Sequence, residues 1–584
     1  MFGKILAINS GYALIENLSK KVESNFLGLH VVFETPNQKI VGEIIEINEY
    51  EIKINFVGEF VNDTFKNGII NKPSPNSVTR VIYTKEIPLL LGTQEIETRD
   101  YLYLGKSTKY PEYNVSININ EFFSQHFAII GNTGSGKSSS VARIIQNLFY
   151  RKQYMPINSN MILFDVYGEY NSALKEINDS PLFKVNNLTT KIRFAESEIV
   201  SIPPYFLEVD DLALLLNAED NSQLPIIEKA LKLVYLFTEK EELVIDHKNS
   251  ILSKALLDIL SSGKSPTQIR DQMIAVLSAF HTKDINLNSQ IVQPGYIRTL
   301  RQCLSIDATG KINTMQLVVE FLEKYAIHID YSKRQENLFY TLKDLYSAFE
   351  FALISEGILK SDKVYDKNNV LKVRLETIIN SEVSKYFEYD KFITKQDFVK
   401  KLFIAKNGEK AQILNINLNY IDERLAKVLT KIYSKIFFDY TVSLEKRGSQ
   451  PFQIILEEAH RYVQNDNDVN IIGYNIFDRI TKEGRKYGVT LGLISQRPSE
   501  LSATALSQCS NFLIFRLFHP KDTEVVGDIS YNLNPSDIEE LKSLRPGVSL
   551  VLGTAIQLPQ FVKIDMPNPT PSCSNADIRN IWFD

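Results

Sequence analysis

Cysteine is scarce: the 584 residues contain three, Cys303, Cys509 and Cys573, far apart and odd in number. This argues against a disulfide framework or a cysteine-built zinc cluster and leaves plain thiols in a reducing compartment. Long hydrophobic runs are missing as well. Stretches such as 129–130 with their neighbours, or 512–518, are short, whereas a membrane span takes about 20 apolar residues. No charged-then-apolar segment opens the chain, so a cytoplasmic protein with no membrane partner is expected. Positive charge is not in excess either: 65 Lys and Arg against 70 Asp and Glu give a net −5, and no global basic field announces nucleic acid. DNA is not thereby excluded, because a ring-shaped oligomer can line a central channel with a few basic residues of each subunit while its outside stays acidic. With 44% hydrophobic and 23% charged residues, the composition is that of a folded globular chain long enough for several cores.

The stretch 126–150, HFAIIGNTGSGKSSSVARIIQNLFY, organises the rest. An apolar run breaks into glycines, a lysine and a serine, then resumes with Val141, Ile144, Ile145 and Leu148 at i, i+3, i+4, i+7, the spacing of a helix with one buried face. Gly131, Gly136, Lys137 and Ser138 satisfy G-x-x-x-x-G-K-[ST], the nucleotide-binding P-loop or Walker A pattern. Glycines let successive backbone N–H groups curl inward onto phosphate oxygens, and the helix that follows points its positive end at the same place. Residues Asn132, Thr133, Gly134, Ser135, Gly136, Lys137, Ser138 and Ser139 are therefore expected to hold ATP, with Lys137 at the β- and γ-phosphates and the Ser138 hydroxyl on Mg²⁺. A chance glycine-rich turn is the bland alternative, but it would not explain the strand before and the helix after.

Elsewhere the pattern changes twice. Residues 1–95 read as short strands: Ile52, Ile54 and Phe56 alternate with Glu51, Lys53 and Asn55, and Thr35-Pro36-Asn37 separates two apolar runs as a hairpin turn would. A small β-barrel for assembly or docking is expected, a β-sandwich being the alternative. Residues 96–120, polar and tyrosine-rich, read as a connector. Over 205–400 the spacing is helical, as in the stripe Ile226, Ala230, Leu233, Phe237, and Ser265-Pro266 with Gln268 marks a helix start. Around this insertion, strand signals at 161–164, 411–418, 452–456, 489–494, 512–518 and 548–552 alternate with helical ones, which predicts a mostly parallel sheet covered by helices.

The second half of the chemistry lies at FQIILEEAH, 452–460, which has the form of a Walker B motif. Hydrolysis of a phosphoanhydride needs water placed in line and charge neutralised more than covalent help. Glu457 is assigned to the metal shell through water and Glu458 to orienting or deprotonating the attacking water. Asp is commoner at the first of these positions, and Glu457 is one methylene longer. Asp165, at the end of another strand, either approaches the metal and water or caps the next turn. Gln496, ending a further strand, offers an amide to the γ-phosphate or the attacking water. Arg479, Arg485 and Lys486 fall on or after a helix carrying Ile472, Ile476 and Ile480. Of these Arg485 is the candidate arginine finger, acting across a subunit boundary, against the alternative that it only satisfies a helix end.

The segments GNTGSGKS (131–138), FDVYGEY (164–170), IILEEAH (454–460), EGRKYGV (483–489) and LISQRPSEL (493–501) together resemble the HerA branch of the FtsK–HerA P-loop ATPases. The resemblance spans nearly the whole chain, although 205–400 carries no matching motif. It implies an α/β fold: a RecA-like P-loop ATPase core with an N-terminal β-barrel (1–95), the core in two halves (96–204 and 401–565) around a helical insertion (205–400), and a C-terminal tail (566–584). It further implies a homo-hexameric ring, ATP-driven translocation on double-stranded DNA, a trans-acting role for Arg485, and a partner effector. In archaeal relatives that partner is the NurA nuclease; bacterial relatives are paired with a nuclease or a sirtuin-type NADase in antiphage defence.

Overall fold

The computed structural model describes the whole chain except residues 1, 21–25, 63, 93–97, 152, 194, 196, 309, 313, 329–337, 356–361, 465–467, 530–532, 534, 573–581 and 583–584. Cys573 lies outside the described residues, and Cys303 and Cys509 are buried free thiols. The chain divides into two units, one comprising 1–190, 399–465 and 475–584, the other 191–398 and 466–474.

In the first unit, the amino-terminal region is a seven-stranded sheet whose ladders are antiparallel. Its outermost strands, Phe2–Ile8 and Val78–Val81, approach each other as the sheet curls. The alternation at 51–55 has its expected result: Ile52 and Ile54 are fully buried, packed with Ala13, Ile15, Val31 and Phe33, while Glu51, Lys53 and Asn55 face outward. His30–Thr35 and Gln38–Ile47 pair across the turn at Pro36-Asn37.

The second sheet has twelve strands. Along it run Val185–Thr189, Ile413–Asn417, Met161–Asp165, Phe452–Leu456, Val489–Ser495, His126–Ile130 and Cys509–Ile514, each parallel to the next. The central strands, such as His126–Ile130, Met161–Asp165 and Phe452–Leu456, are buried along their whole length and read as apolar runs and not as alternating ones. Their carboxyl ends share one edge, the usual ligand edge of an α/β sheet. The Walker B strand Phe452–Leu456 and the P-loop strand His126–Ile130 are separated by one strand, which ends at Ser495, just before Gln496. The helix Lys137–Phe149 buries Val141, Ile144, Ile145 and Leu148 against this sheet.

Antiparallel strands complete the far side, and here the structure corrects the connector expected over 96–120. Tyr101–Ser107 and Asn114–Asn118 form a hairpin that joins the main sheet through Gln560–Ile564. Leu102 and Leu104 are buried between half-exposed Tyr101 and Tyr103, so the period of two was present but carried by tyrosines.

The P-loop strand starts at His126, which is wholly buried. Its Nδ1 accepts the Leu491 N–H at 2.9 Å, which leaves Nε2 to donate to the Thr481 carbonyl at 3.1 Å and fixes the neutral tautomer. Burial, reinforced by the nearby charge of Arg485, lowers His126 from 6.5 to about 4. Between those values the unfolded chain takes up a proton that the folded one refuses, so stability falls as pH falls through this window, by about 2 kcal/mol at pH 5 from this group alone. Melting temperatures at pH 7 and pH 5 should show a drop in the native protein that is smaller in His126→Gln.

The second unit is mainly helical, with one antiparallel strand pair, Gln290–Gln293 and Tyr296–Thr299. Ser265 caps the helix Pro266–Ala279 in a reciprocal box with Gln268, and Leu252, Leu256, Met273, Leu277 and Leu322 pack in its core. The stripe through Phe237 is split, since the α-helix Leu224–Leu233 tightens into a 3-10 turn over Val234–Phe237. Ile472 likewise sits on a separate short helix, Asp468–Ile472, while Ile476 and Ile480 belong to Ile476–Tyr487 in the other unit. Gly473, at φ 87°, supplies the break.

Candidate functional site

The loop between the P-loop strand and its helix is held from behind by another glycine turn. Gly136 stands at φ 103°, and a Cβ on it would come within 2.9 Å of the Gly547 nitrogen, which donates to the Ser135 carbonyl at 2.9 Å. Any side chain at 136 would therefore suffer both an unfavourable backbone angle and a clash. Asn132 N–H bonds the Arg516 carbonyl at 2.9 Å, Thr133 and Gly134 are exposed at the tip, and the buried Ser135 hydroxyl has no partner. Lys137, Ser138 and Ser139 form the first helical turn. Lys137 Nζ reaches back across the loop to the carbonyls of Gly131 at 2.6 Å and Asn132 at 3.0 Å. Burial lowers it to about 8, against the opposing pull of Glu458, Glu457 and Glu169.

Three strands, Met161–Asp165, Phe452–Leu456 and Val489–Ser495, bring the other predicted residues to the same edge. Glu457 is 3% exposed and accepts the Val166 N–H at 3.2 Å. Burial and the carboxylates of Asp165, Glu169 and Glu458 push it well above the usual carboxylate range. Glu458 follows in the left-handed region at φ 48°, a backbone strain that recurs at functional sites. Its Oε1 accepts from the Gln496 amide, and the Gln496 carbonyl oxygen accepts from Thr133 in the P-loop. Three elements distant in the sequence are thus joined as Thr133–Gln496–Glu458. Oε2 of Glu458 is buried with no hydrogen bond and lies 3.4 Å from His460 Nδ1; that ring also meets the Ser495 hydroxyl at 3.2 Å.

Of the two roles open to Asp165, the structure displays turn-building. Its two oxygens accept the N–H groups of Glu169 and Tyr170, each at 3.0 Å, and burial raises it to about 6. The turn so fixed places Tyr170, completely buried, with its hydroxyl facing Ser138, Glu457 and Asp165 but closing no hydrogen bond of ordinary geometry. An orphaned buried hydroxyl beside Ser138, and three carboxyl groups crowded near a lysine whose charge is itself strained by burial, are a donor set that a hard divalent cation would satisfy. Such a donor set would suit Mg²⁺, and Ser138 and Glu457 are the residues that would hold it.

Arg485 is not brought to this edge. It is exposed on the last turn of Ile476–Tyr487, and its charge is felt by His126, at the opposite end of the P-loop strand. Five residues of strand put these ends about 13 Å apart, beyond the reach of an arginine side chain. Arg479 lies over Phe438, 5.0 Å from the ring centroid, and 3.8 Å from Glu483. Sequence reasoning assigned no role to Tyr167, Tyr170, His460 or Gly547. The quoted segments at 164–170 and 454–460 contain three of them, but nothing in their spacing shows which atoms meet.

A phosphate loop and two acidic groups on neighbouring parallel strands, with a glutamine on the strand between loop and acids, define a RecA-like P-loop ATPase. Comparison with known proteins narrows the class. Residues 102–322 match the family model described as Helicase HerA, central domain. The chain is 25% identical over 555 residues to the DNA double-strand break repair helicase HerA of Pyrococcus furiosus, covering 94% of this chain and 82% of that one. It is 23% identical over 544 residues to the probable DNA double-strand break repair helicase HerA of Methanocaldococcus jannaschii, covering 90% and 89%. Among solved structures, a bacterial conjugative coupling protein, TrwB, covers 84% of this chain and 94% of its own at 10% identity, with a TM-score of 0.43, too loose a likeness to argue from. The sequence relatives and the motifs liken the chain to the HerA-type ATPases of the FtsK–HerA family. Among the described residues no helix is long and apolar enough to cross a membrane.

Proposed function

We propose that this ATPase assembles as a homo-hexameric ring and moves double-stranded DNA through its channel, powering or activating a partner effector, a nuclease or a sirtuin-type NADase, in repair or antiphage defence. The observation that carries the ring is the position of Arg485. One subunit supplies the phosphate loop, the acidic pair and the glutamine at one edge of its sheet, and keeps its candidate finger exposed at the other end. Apposed head to tail, each subunit offers Arg485 to the next one's nucleotide, a heterologous contact of the kind that closes into rings. Support for DNA as substrate comes from the relatives, named as double-strand break repair helicases.

In this reading Lys137 and the loop N–H groups hold the β- and γ-phosphates. Ser138 and Glu457 would hold Mg²⁺, which would neutralise charge on the phosphate oxygens. Glu458 takes a proton from the attacking water, and Gln496, whose two ends already meet Thr133 and Glu458, senses the γ-phosphate and passes its loss to the Walker B side. A triplex-displacement assay tests the reading. ATP should drive release of a third strand from duplex DNA in the native protein. Absence of release, with ATP hydrolysis and ring mass intact, would favour a scaffold whose nucleotide only holds the effector ring together.

A further inference from the structure

Glu458 is gripped from both sides. The Walker B strand has the Gln496 strand on one flank and Met161–Asp165 on the other. From the second flank comes Tyr167, on the turn that Asp165 builds, and its hydroxyl donates to the same Glu458 Oε1 that Gln496 holds, at 3.4 Å. The phenol is itself oriented. Arg461 Nη2 donates to the Tyr167 oxygen at 3.1 Å, and the guanidinium carbon lies 5.6 Å from the ring centroid. Because that oxygen accepts from Arg461, its own proton is directed to the carboxylate. Arg461 sits three residues after Glu458, in a turn where the Arg461 N–H donates to the Glu458 carbonyl at 2.9 Å. The grip is therefore a closed circuit: Glu458 backbone, Arg461, Tyr167, Glu458 carboxylate.

We propose that Tyr167, oriented by Arg461, is a positioning residue for ATP hydrolysis that aims the Glu458 carboxylate at the attacking water. The proposal rests on the reading of Glu458 as the group that acts on water. An oxygen held by one donor swings about that contact, whereas two donors from opposite flanks hold Oε1 in place and so keep Oε2 directed, and a misplacement of about 1 Å can cost about 10²-fold in rate. Among the described residues neither Tyr167 nor Arg461 hydrogen-bonds the phosphate loop, their partners being Glu458 and each other, so their loss should fall on turnover and spare nucleotide affinity.

The test uses the full-length protein. Tyr167→Phe keeps the ring against Arg461 and removes the hydroxyl alone; kcat for ATP should fall about tenfold, the loss expected for one hydrogen bond to a charged group, while the Kd of a non-hydrolysable ATP analogue stays within about twofold. Arg461→Ala should lower kcat in the same direction, and the double variant should be no slower than Tyr167→Phe, since both break one circuit. Should Tyr167→Phe fold poorly, Arg461→Ala and its kcat-against-Kd split still decide. Native kcat in Tyr167→Phe, a matching loss of analogue affinity, or multiplying losses in the double variant would overturn the proposal. Glu458→Gln is measured beside them. If it hydrolyses ATP normally, the reading of Glu458 itself has failed; if it is inactive while Tyr167→Phe is native-like, only the positioning role has.

Discussion

ATP turnover by Glu458→Gln is expected to fall by about 10²- to 10⁴-fold, the range for loss of a general base, while nucleotide binding persists. Glutamine has the size of glutamate and can still receive the Gln496 and Tyr167 donors through its carbonyl oxygen, so the fold around it should be unchanged. It lacks the basic oxygen that takes the proton. The two acidic neighbours are separable on this point. Glu457 is deeply buried, crowded by carboxylates and bonded to the Val166 backbone, a setting in which it would serve a cation better than a water proton. Glu458 has one oxygen held by neutral donors and the other without a hydrogen bond, the setting of a group with a lone pair to use. Binding of a fluorescent ATP analogue, measured together with phosphate release, checks both halves of the expectation.

Loss of Arg485 should be comparably severe, about 10³- to 10⁵-fold where a trans arginine carries the transition-state charge, and it should be rescuable in a way no cis residue is. Arg485→Ala and Lys137→Ala subunits are each expected to be inactive alone. In mixed rings, some interfaces pair a Lys137 from the first with an Arg485 from the second, and activity should return at those interfaces only. Mixed rings verified by mass that stay inactive would show that Arg485 does not act across the boundary. The geometry within one chain already limits the alternatives, because Arg485 lies near His126 and the loop begins at the other end of that strand.

Local features were legible in the sequence, and sheet order was not. The strand, loop and helix at 126–150 could be read because the motif, the apolar run and the helical spacing are all carried by neighbours along the chain. The capping box at Ser265 and the turn at Pro36-Asn37 were legible for the same reason. By contrast, contacts that close the site across strands join residues as far apart as 291 positions, Glu457 with Val166, and 363, Thr133 with Gln496. Periodicity reports which face of an element is buried and is silent on which strand lies beside it. Hence Tyr167 looked like one residue of a quoted segment, and only the pairing of 161–165 with 452–456 sets it against Glu458. The hairpin at 101–118 was missed because tyrosine, half apolar and half polar, blurs an alternation that leucine alone would have displayed. Asp165 was ambiguous since a carboxylate ending a strand can serve a ligand or its own turn, and only hydrogen-bond partners tell these apart.

The central claim is that ATP hydrolysis at this composite site is coupled to movement on duplex DNA. The most direct measurement is the steady-state rate of phosphate release with and without linear double-stranded DNA, using native protein and Glu458→Gln as the blank. Coupling predicts a rate that rises several-fold on addition of duplex and saturates with its concentration. A rate indifferent to duplex DNA in a verified ring would contradict it.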